Sequence, residues 1–402
     1  MSEDDLLEAV ERGEIDLHEL DDHTDAETAG EVRRAAVESA TATDLETIGA
    51  TAIPAADAEP NVENMIGAAQ VPMGVAGPVP VAGEFVDRSV RVPLATTEGA
   101  LIASVNRGMA AIREADGATA RIVESGITRA PVFTVDDVSE ARDVADWVTG
   151  EADRIGAAAA ETDPHLDFQD LEPYVVGDSV FVRIRYDTGD AMGMNMATIG
   201  SRSAAELIES ETPAELVAVS GNLCSDKKPA AINSVEGRGY TVTADVEVPA
   251  DVVADRFGAT PAAIAEVNTR KNLVGSAKAG ALGFNAHAAN VIGAAFLALG
   301  QDEAQVVEGA NTITTVEDRD GSLYASVTLA SLEVGTVGGG TGLPTQREAL
   351  SVLGLAGGGD PPGTNGAALA EIIATATLAG ELSLLGALAG RHLTSAHEEH
   401  GR

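Results

Sequence analysis

The sequence predicts an α+β protein: a large helix-centred domain carrying an inserted small split-βαβ (ferredoxin-like) domain, with no Rossmann fold. Three observations lead there. At 402 residues the chain exceeds one typical core, so a large body with a smaller satellite is expected. Within it, the stretch 131–219 runs strand, helix, strand, strand, helix, strand, the order of a split-βαβ unit. Nucleotide-loop fingerprints are missing, since no GxGxxG opens a helix after a strand and no GxxxxGK is followed by Ser or Thr.

Taken in order, residues 1–50 read as an acidic helical cap, with Asp4 a candidate N-cap and helical spacing from Thr28 to Ser39. The first part of the large domain spans 51–130. Here VPVAGEFVDRSVRVPL (79–94) alternates as two strands around a Gly83-Glu84 turn, and ATTEGALIASVNRGMAAI then turns helical, which sets Glu98 at a strand-to-helix junction. The inserted domain, 131–219, contributes a short strand, a helix from Val138 to Ala160, two strands hinged at Gly177-Asp178, a helix after Asp190 and a last strand, LVAVS. The large domain resumes at 220–402, with an apolar helix from Asn285 to Leu299 stopped by Gly300 and a second from Leu369 to His392 interrupted by glycines.

Composition excludes several function classes. The formal net charge is −39, which repels nucleic acid and anionic lipid and opposes folding unless ions screen it. At about 1 M salt the screening length falls to roughly 3 Å, so the acidic residues read as the solvated surface of a protein from a halophilic cytoplasm. The apolar stretches, such as 290–300, fall short of the roughly 20 residues that cross a bilayer, and the amino end lacks the basic start of a secretory signal. Cys224 is the single cysteine and the seven histidines show no HExxH spacing, so neither a disulfide within the chain nor a metal is expected.

Lysine is the informative residue. It occurs only at 227, 228, 271 and 278, against 21 arginines. A chain that has shed nearly all surface lysine is expected to keep it where guanidinium cannot serve, as a compact cation able to give up a proton. Two of the four sit in SGNLCSDKKPAAIN and two in RKNLVGSAKAG, among Gly, Ser and Asn rather than on charged helix faces.

Beyond these residues, ordered motifs accumulate: ENMIG and VPMGVAGPV (63–79), PLATTEGALIASVNRG (93–108), GITRAPV, TGDAMGMNM (188–196), SGNLCSDKKPAAIN (220–233), TRKNLVGSA (269–277), FNAHAAN, GQD (300–302) and VGTVGGGTGLP (334–344). In them the chain resembles the 3-hydroxy-3-methylglutaryl-coenzyme A reductases, class I, the archaeal and eukaryotic type. The resemblance implies Glu98, Lys227, Asp302 and His397 as the catalytic set, with Asp302 bridging Glu98 and Lys227. It implies Arg129, Ser220, Asp226, Lys228, Lys271, His287 and Asn290 as contacts to the hydroxymethylglutaryl portion, and Ser104, Asn106 and Arg107 to coenzyme A. It implies NADPH as the reductant, met by Asp190, Met192, Gly193, Met194 and Asn195 and by Gly338 and Gly339. Pro164 stands where relatives carry an arginine for the 2′-phosphate. A homo-oligomer with its active site at the subunit interface is implied as well.

Overall fold

The structure, a computed structural model, describes residues 1–390 in full and 391–400 by backbone alone. The side chain of His397 therefore lies outside the described residues.

Ten strands form one sheet: β1 (Met73–Ala82), β2 (Asp87–Ala95), β3 (Ala118–Arg129), β4 (Val132–Thr134), β5 (Asp167–Val176), β6 (Ser179–Asp187), β7 (Glu215–Ala218), β8 (Gly239–Val248), β9 (Ile313–Arg319) and β10 (Ser322–Leu332). β1 and β2 close a hairpin over the Gly83 turn, as the alternation predicts. β3 is the shared strand. Residues 119–126 of it pair antiparallel with β8, which continues to β10 and β9, while Ile127, Thr128 and Arg129 pair with β6. Beyond β6 the order is β7-β4-β6-β5, every neighbouring pair antiparallel. Only β1 and β3 pair in parallel among the named strands. The expected helix of 138–160 is two helices, Val138–Gly150 and Ala152–Ala160, meeting at Glu151.

Among the described residues four apolar clusters form, the smallest around Ala55, Ala58 and Met65. Leu6, Ala9, Leu20, Ala29 and Val32 make a small core for the amino-terminal helices. There Ser2, not Asp4, caps the first helix, because its hydroxyl accepts the Asp5 amide while the Asp5 carboxylate accepts the Ser2 amide. Phe133, Ile155, Val182 and Ala204 belong to the core under β4–β7. The largest cluster gathers β1, β2, β8 and β10 around one long helix, Thr364–His400.

That helix corrects two expectations. It is longer than predicted and no glycine interrupts it. The stretch Thr364–Gly390 is long and apolar enough to cross a membrane, with a mean hydropathy of 1.7, yet 83% of that window is buried inside the fold. A helix apolar on all sides belongs in a core. Its glycines serve close approach: a Cβ on Gly380 would meet Val291, and one on Gly386 would meet the Phe257 ring. Gly108 of the Leu101–Glu114 helix does the same from the other side, lying against the Ala379 backbone. Gly108→Ala should therefore lower stability by about 1–3 kcal/mol, since the methyl would overlap the Ala379 carbonyl and force the helices apart. Thermal unfolding in molar salt measures it, with Gly150→Ala, whose Cβ meets nothing within 4 Å, as the control that should leave Tm in place.

Candidate active site

The loop after β7 carries Lys227 in a conformation that side chains rarely adopt. Asn222, Ser225 and Lys227 have φ of 63°, 48° and 57°, left-handed values that cost roughly 1–2 kcal/mol for a residue with a Cβ. Such a loop persists only where its surroundings over-determine it.

The surroundings are a buried ionic cluster. Arg238, fully buried just before β8, reaches Asp226 Oδ1 at 3.1 Å, both oxygens of Glu308 at 3.0 Å and Glu333 Oε1 at 3.3 Å. Gln305 Nε2 donates to Asp226 Oδ1 at 2.9 Å. Asp226 Oδ2 faces Arg129 Nη1 at 3.3 Å, and Arg129 also donates to Thr198 and Ser220. Burial pushes the Asp226 carboxyl up, but Arg238, the Gln305 hydrogen bond, Arg129 and Lys227 outweigh it and hold the group below the usual carboxylate range. Glu333 goes the other way. Burial lifts it well above the ordinary glutamate value, Arg238 pulls it back only in part, and the negative charge of Glu308 lifts it further.

Lys227 Nζ lies 2.8 Å from Asp302 Oδ2, at the brink of this cluster and partly open to solvent. An ammonium has three donors, and one is spent here, so two remain for an oxygen arriving from outside. Asp302 itself is fixed as the N-cap of the turn Glu303–Gln305, accepting the Ala304 amide at 3.1 Å. Lys228 folds back onto the Asp226 carbonyl at 2.8 Å. Glu98 is exposed in the loop before the Leu101–Glu114 helix, and its amide donates to Thr96 Oγ1. Among the described residues of a single chain its carboxylate meets neither Lys227 nor Asp302, so the expected bridge is present on the lysine side only.

A second group gathers on the central helix. Glu381 accepts the amides of Ala286 and His287, each at 2.7 Å, and the Thr314 hydroxyl at 2.8 Å. The His287 ring nitrogen Nε2 lies 2.7 Å from the Gly380 carbonyl, so it must carry the proton there, which leaves Nδ1 facing Asn290 at 3.5 Å. Ser383 receives Arg107 at 3.0 Å through its hydroxyl and at 2.9 Å through its carbonyl, and pairs with Ser104 at 2.9 Å. Arg107 Nη1 keeps no protein acceptor among the described residues. Asn106 accepts the Gly77 amide at 2.8 Å. Lys271 is exposed on the π-helical segment Asn268–Gly275.

The third group surrounds Gly193, which has φ 84° and precedes the 18-residue helix Met194–Glu211. A Cβ there would overlap Thr188, so glycine is obligatory, and the helix end offers amide donors and a positive dipole to an anion. Gly335 packs against the Met192 and Asp190 backbone, and Ala191 bridges Val337. Gly338 and Gly339, at φ 77° and 53°, have open space where a Cβ would sit. These cradles fit a pyrophosphate. Met192 is half-buried beside them and Asn195 exposed, while Met194 is buried with its sulfur at the Arg238 guanidinium. Asp190 is buried, and its carboxylate accepts the amides of Gly359, Gly363 and Gly366 at 2.8, 2.8 and 2.9 Å.

Sequence reasoning passed over Arg238, Glu308, Glu333, Glu381 and Ser383. For Glu381 a signal exists, an acid inside the apolar run TATLAGELSLLGALAG. Glu308 has none, because one more glutamate in so acidic a chain reads as surface.

Comparison with known proteins shows the family and the fold. The family model described as hydroxymethylglutaryl-coenzyme A reductase matches residues 29–402. The chain is 64% identical over 399 residues to the 3-hydroxy-3-methylglutaryl-coenzyme A reductase of Halobacterium salinarum, covering 99% of this chain and 98% of that protein. It is 62% identical over 397 residues to that of Haloferax volcanii, with the same coverage. Among solved structures, the class II reductase of Streptococcus pneumoniae bound to NADPH superimposes with a TM-score of 0.68 over 96% of this chain and 97% of that one, at 18% identity, a likeness of fold. With a family match across nearly its whole length and relatives above 60% identity, the chain belongs to the hydroxymethylglutaryl-coenzyme A reductase family.

Proposed function

We propose that the chain reduces 3-hydroxy-3-methylglutaryl-coenzyme A to mevalonate and free coenzyme A with two NADPH, the committed step toward isoprenoid lipids, as a class I enzyme in a salt-rich cytoplasm. The observation that carries the reading is the ammonium of Lys227, held 2.8 Å from Asp302 in an otherwise lysine-poor chain. The family relationship supports the reaction, and the glycine cradles around 193 and 338–339 support the dinucleotide. The β7-β4-β6-β5 order supports reading 131–219 as a split-βαβ domain set into the larger body.

When bound, NADPH supplies the hydride for each of the two reductions. The residues do the rest. A carbonyl oxygen turns negative each time its carbon is reduced, and the Lys227 ammonium stands ready to neutralise it without reorganising. Asp302 keeps that ammonium in place. Glu98 gives a proton to the same oxygen in the aldehyde step, and His397 gives one to the departing thiolate. Arg129, Lys228 and Lys271 balance the free carboxylate of the acyl group, with Ser220, Asp226, His287 and Asn290 completing its contacts. Ser104, Asn106 and the spare Nη1 of Arg107 meet coenzyme A.

A second copy of the chain supplies Glu98 in this reading. β1 pairs Met73 with Ala95, beside the Glu98 loop, and around it Val71, Met73 and Val75 are 37%, 47% and 52% exposed. Apolar side chains left bare next to an incomplete site are the mark of an interface.

Two outcomes are expected. Purified protein in molar salt should oxidise NADPH only when the thioester is present, followed at the nicotinamide absorbance, and Lys227→Ala should lower kcat by about 10²–10³-fold; full turnover in that variant would remove the proposal. Mixing inactive Glu98→Gln and Lys227→Ala chains should restore about a quarter of native activity in a dimer, since half the assemblies then hold one intact site. No restoration after verified subunit exchange would assign both residues to one chain.

A further inference from the structure

The segment 302–308 touches the lysine loop at three consecutive points. Asp302 takes the Lys227 ammonium at 2.8 Å, Gln305 takes the Asp226 carboxylate at 2.9 Å, and Glu308 Oε1 takes the Lys227 backbone amide at 2.5 Å. The last contact is the tightest. Glu308 is fully buried, and its other oxygen accepts Asn233 Nδ2 at 2.8 Å, the same group that donates to the Ser225 carbonyl at 3.2 Å. One carboxylate thus fastens the loop at 227 directly and at 225 through Asn233, the two buried or site residues at which the backbone is left-handed.

We infer that Glu308 is a positioning residue of the reductase: it holds the backbone of Lys227 in its left-handed conformation and thereby aims the ammonium at the reacting carbonyl. The inference rests on the proposed role of Lys227. An ion pair to Asp302 fixes only the far end of a four-carbon chain, which reaches that carboxylate from more than one backbone conformation. The amide bond to Glu308 removes the alternatives, because an unclamped loop is free to relax Lys227 to negative φ and swing the stem away. Arg238 makes the clamp rigid by lying 3.0 Å from both Glu308 oxygens.

The experiment compares native enzyme, Glu308→Gln and Lys227→Ala in the full-length protein in molar salt. A glutamine offers one acceptor where the loop and the guanidinium need two. Glu308→Gln should lower kcat by about 100-fold, the loss expected when a catalytic group is misplaced by about 1 Å, with KM for NADPH and quenching of its fluorescence within twofold of native. A mere loss of structure would move cofactor binding and kcat together. Should Glu308→Gln fail to fold, Asn233→Ala tests the same clamp with every charge kept, and a roughly tenfold lower kcat at unchanged NADPH binding is expected. Native kcat in either folded variant overturns the inference while Lys227→Ala remains inactive. Native kcat in Lys227→Ala instead overturns the role of the lysine on which it rests.

Discussion

One guanidinium holds the candidate site together. Arg238 is fully buried and serves Asp226, Glu308 and Glu333, three acids drawn from positions far apart in the chain, while Nη2, which serves Asp226, also meets the sulfur of Met194. Removing the charge would leave Glu308 and Glu333 in a dry interior, where breaking a single buried pair already costs about 3–5 kcal/mol. Burial and the charge of Glu308 push Glu333 well above the ordinary glutamate value, and Arg129 gives Asp226 a second cation. The geometric consequence of the cluster matters more than its energy. The start of the helix behind Gly193, the lysine loop and the 302–308 segment all refer to the same fixed point, the Arg238 guanidinium.

The central helix does for the second group what Arg238 does for the first. It is apolar almost throughout, yet three of its polar residues each hold a neighbouring segment. Glu371 accepts the amides of Glu84, Phe85 and Val86 in the β1–β2 turn, at 2.7 to 3.1 Å. Glu381 holds the segment leading to His287, and Ser383 holds Ser104 and Arg107. Backbone amides satisfy these carboxylates without a cation, which suits a helix that must also pack on every side. The expected substrate contacts on two other helices are thus indexed to a core element.

Periodicity made the element order legible. The hairpin of 79–94, the two strands about Gly177-Asp178 and the helix after Asp190 all rest on alternation or helical spacing that local physics enforces. Sequence alone shortens the central helix because glycine is a poor helix former in isolation, whereas Gly380 and Gly386 are there to let Val291 and Phe257 approach. The lysines point to the loop after β7, whose backbone is left-handed at three residues, since a rare residue in a polar segment is informative whatever the fold. Their partners were not legible. In a chain with 64 acids the reading assigned carboxylates to the surface, and Glu308, Glu333 and Glu381 are the exceptions that only tertiary contact reveals. Glu98 lies on the loop where its motif sets it, and among the described residues of a single chain its carboxylate meets neither Lys227 nor Asp302.

The division between buried and exposed charge also fits the medium that the composition implies. At molar salt the screening length is about 3 Å, so the repulsion of a −39 surface is quenched, and so is much of the attraction in any ion pair open to solvent. Lys227 and Asp302 are such a pair, with side chains 44% and 29% exposed. Brine that permits the fold therefore weakens the contact that would otherwise hold the ammonium. Glu308 and Arg238 lie where ions do not reach, both side chains at 0% exposure, and their grip on the Lys227 amide is indifferent to the salt outside. A site that must work in concentrated salt keeps its aim by anchoring the backbone of the lysine to the interior.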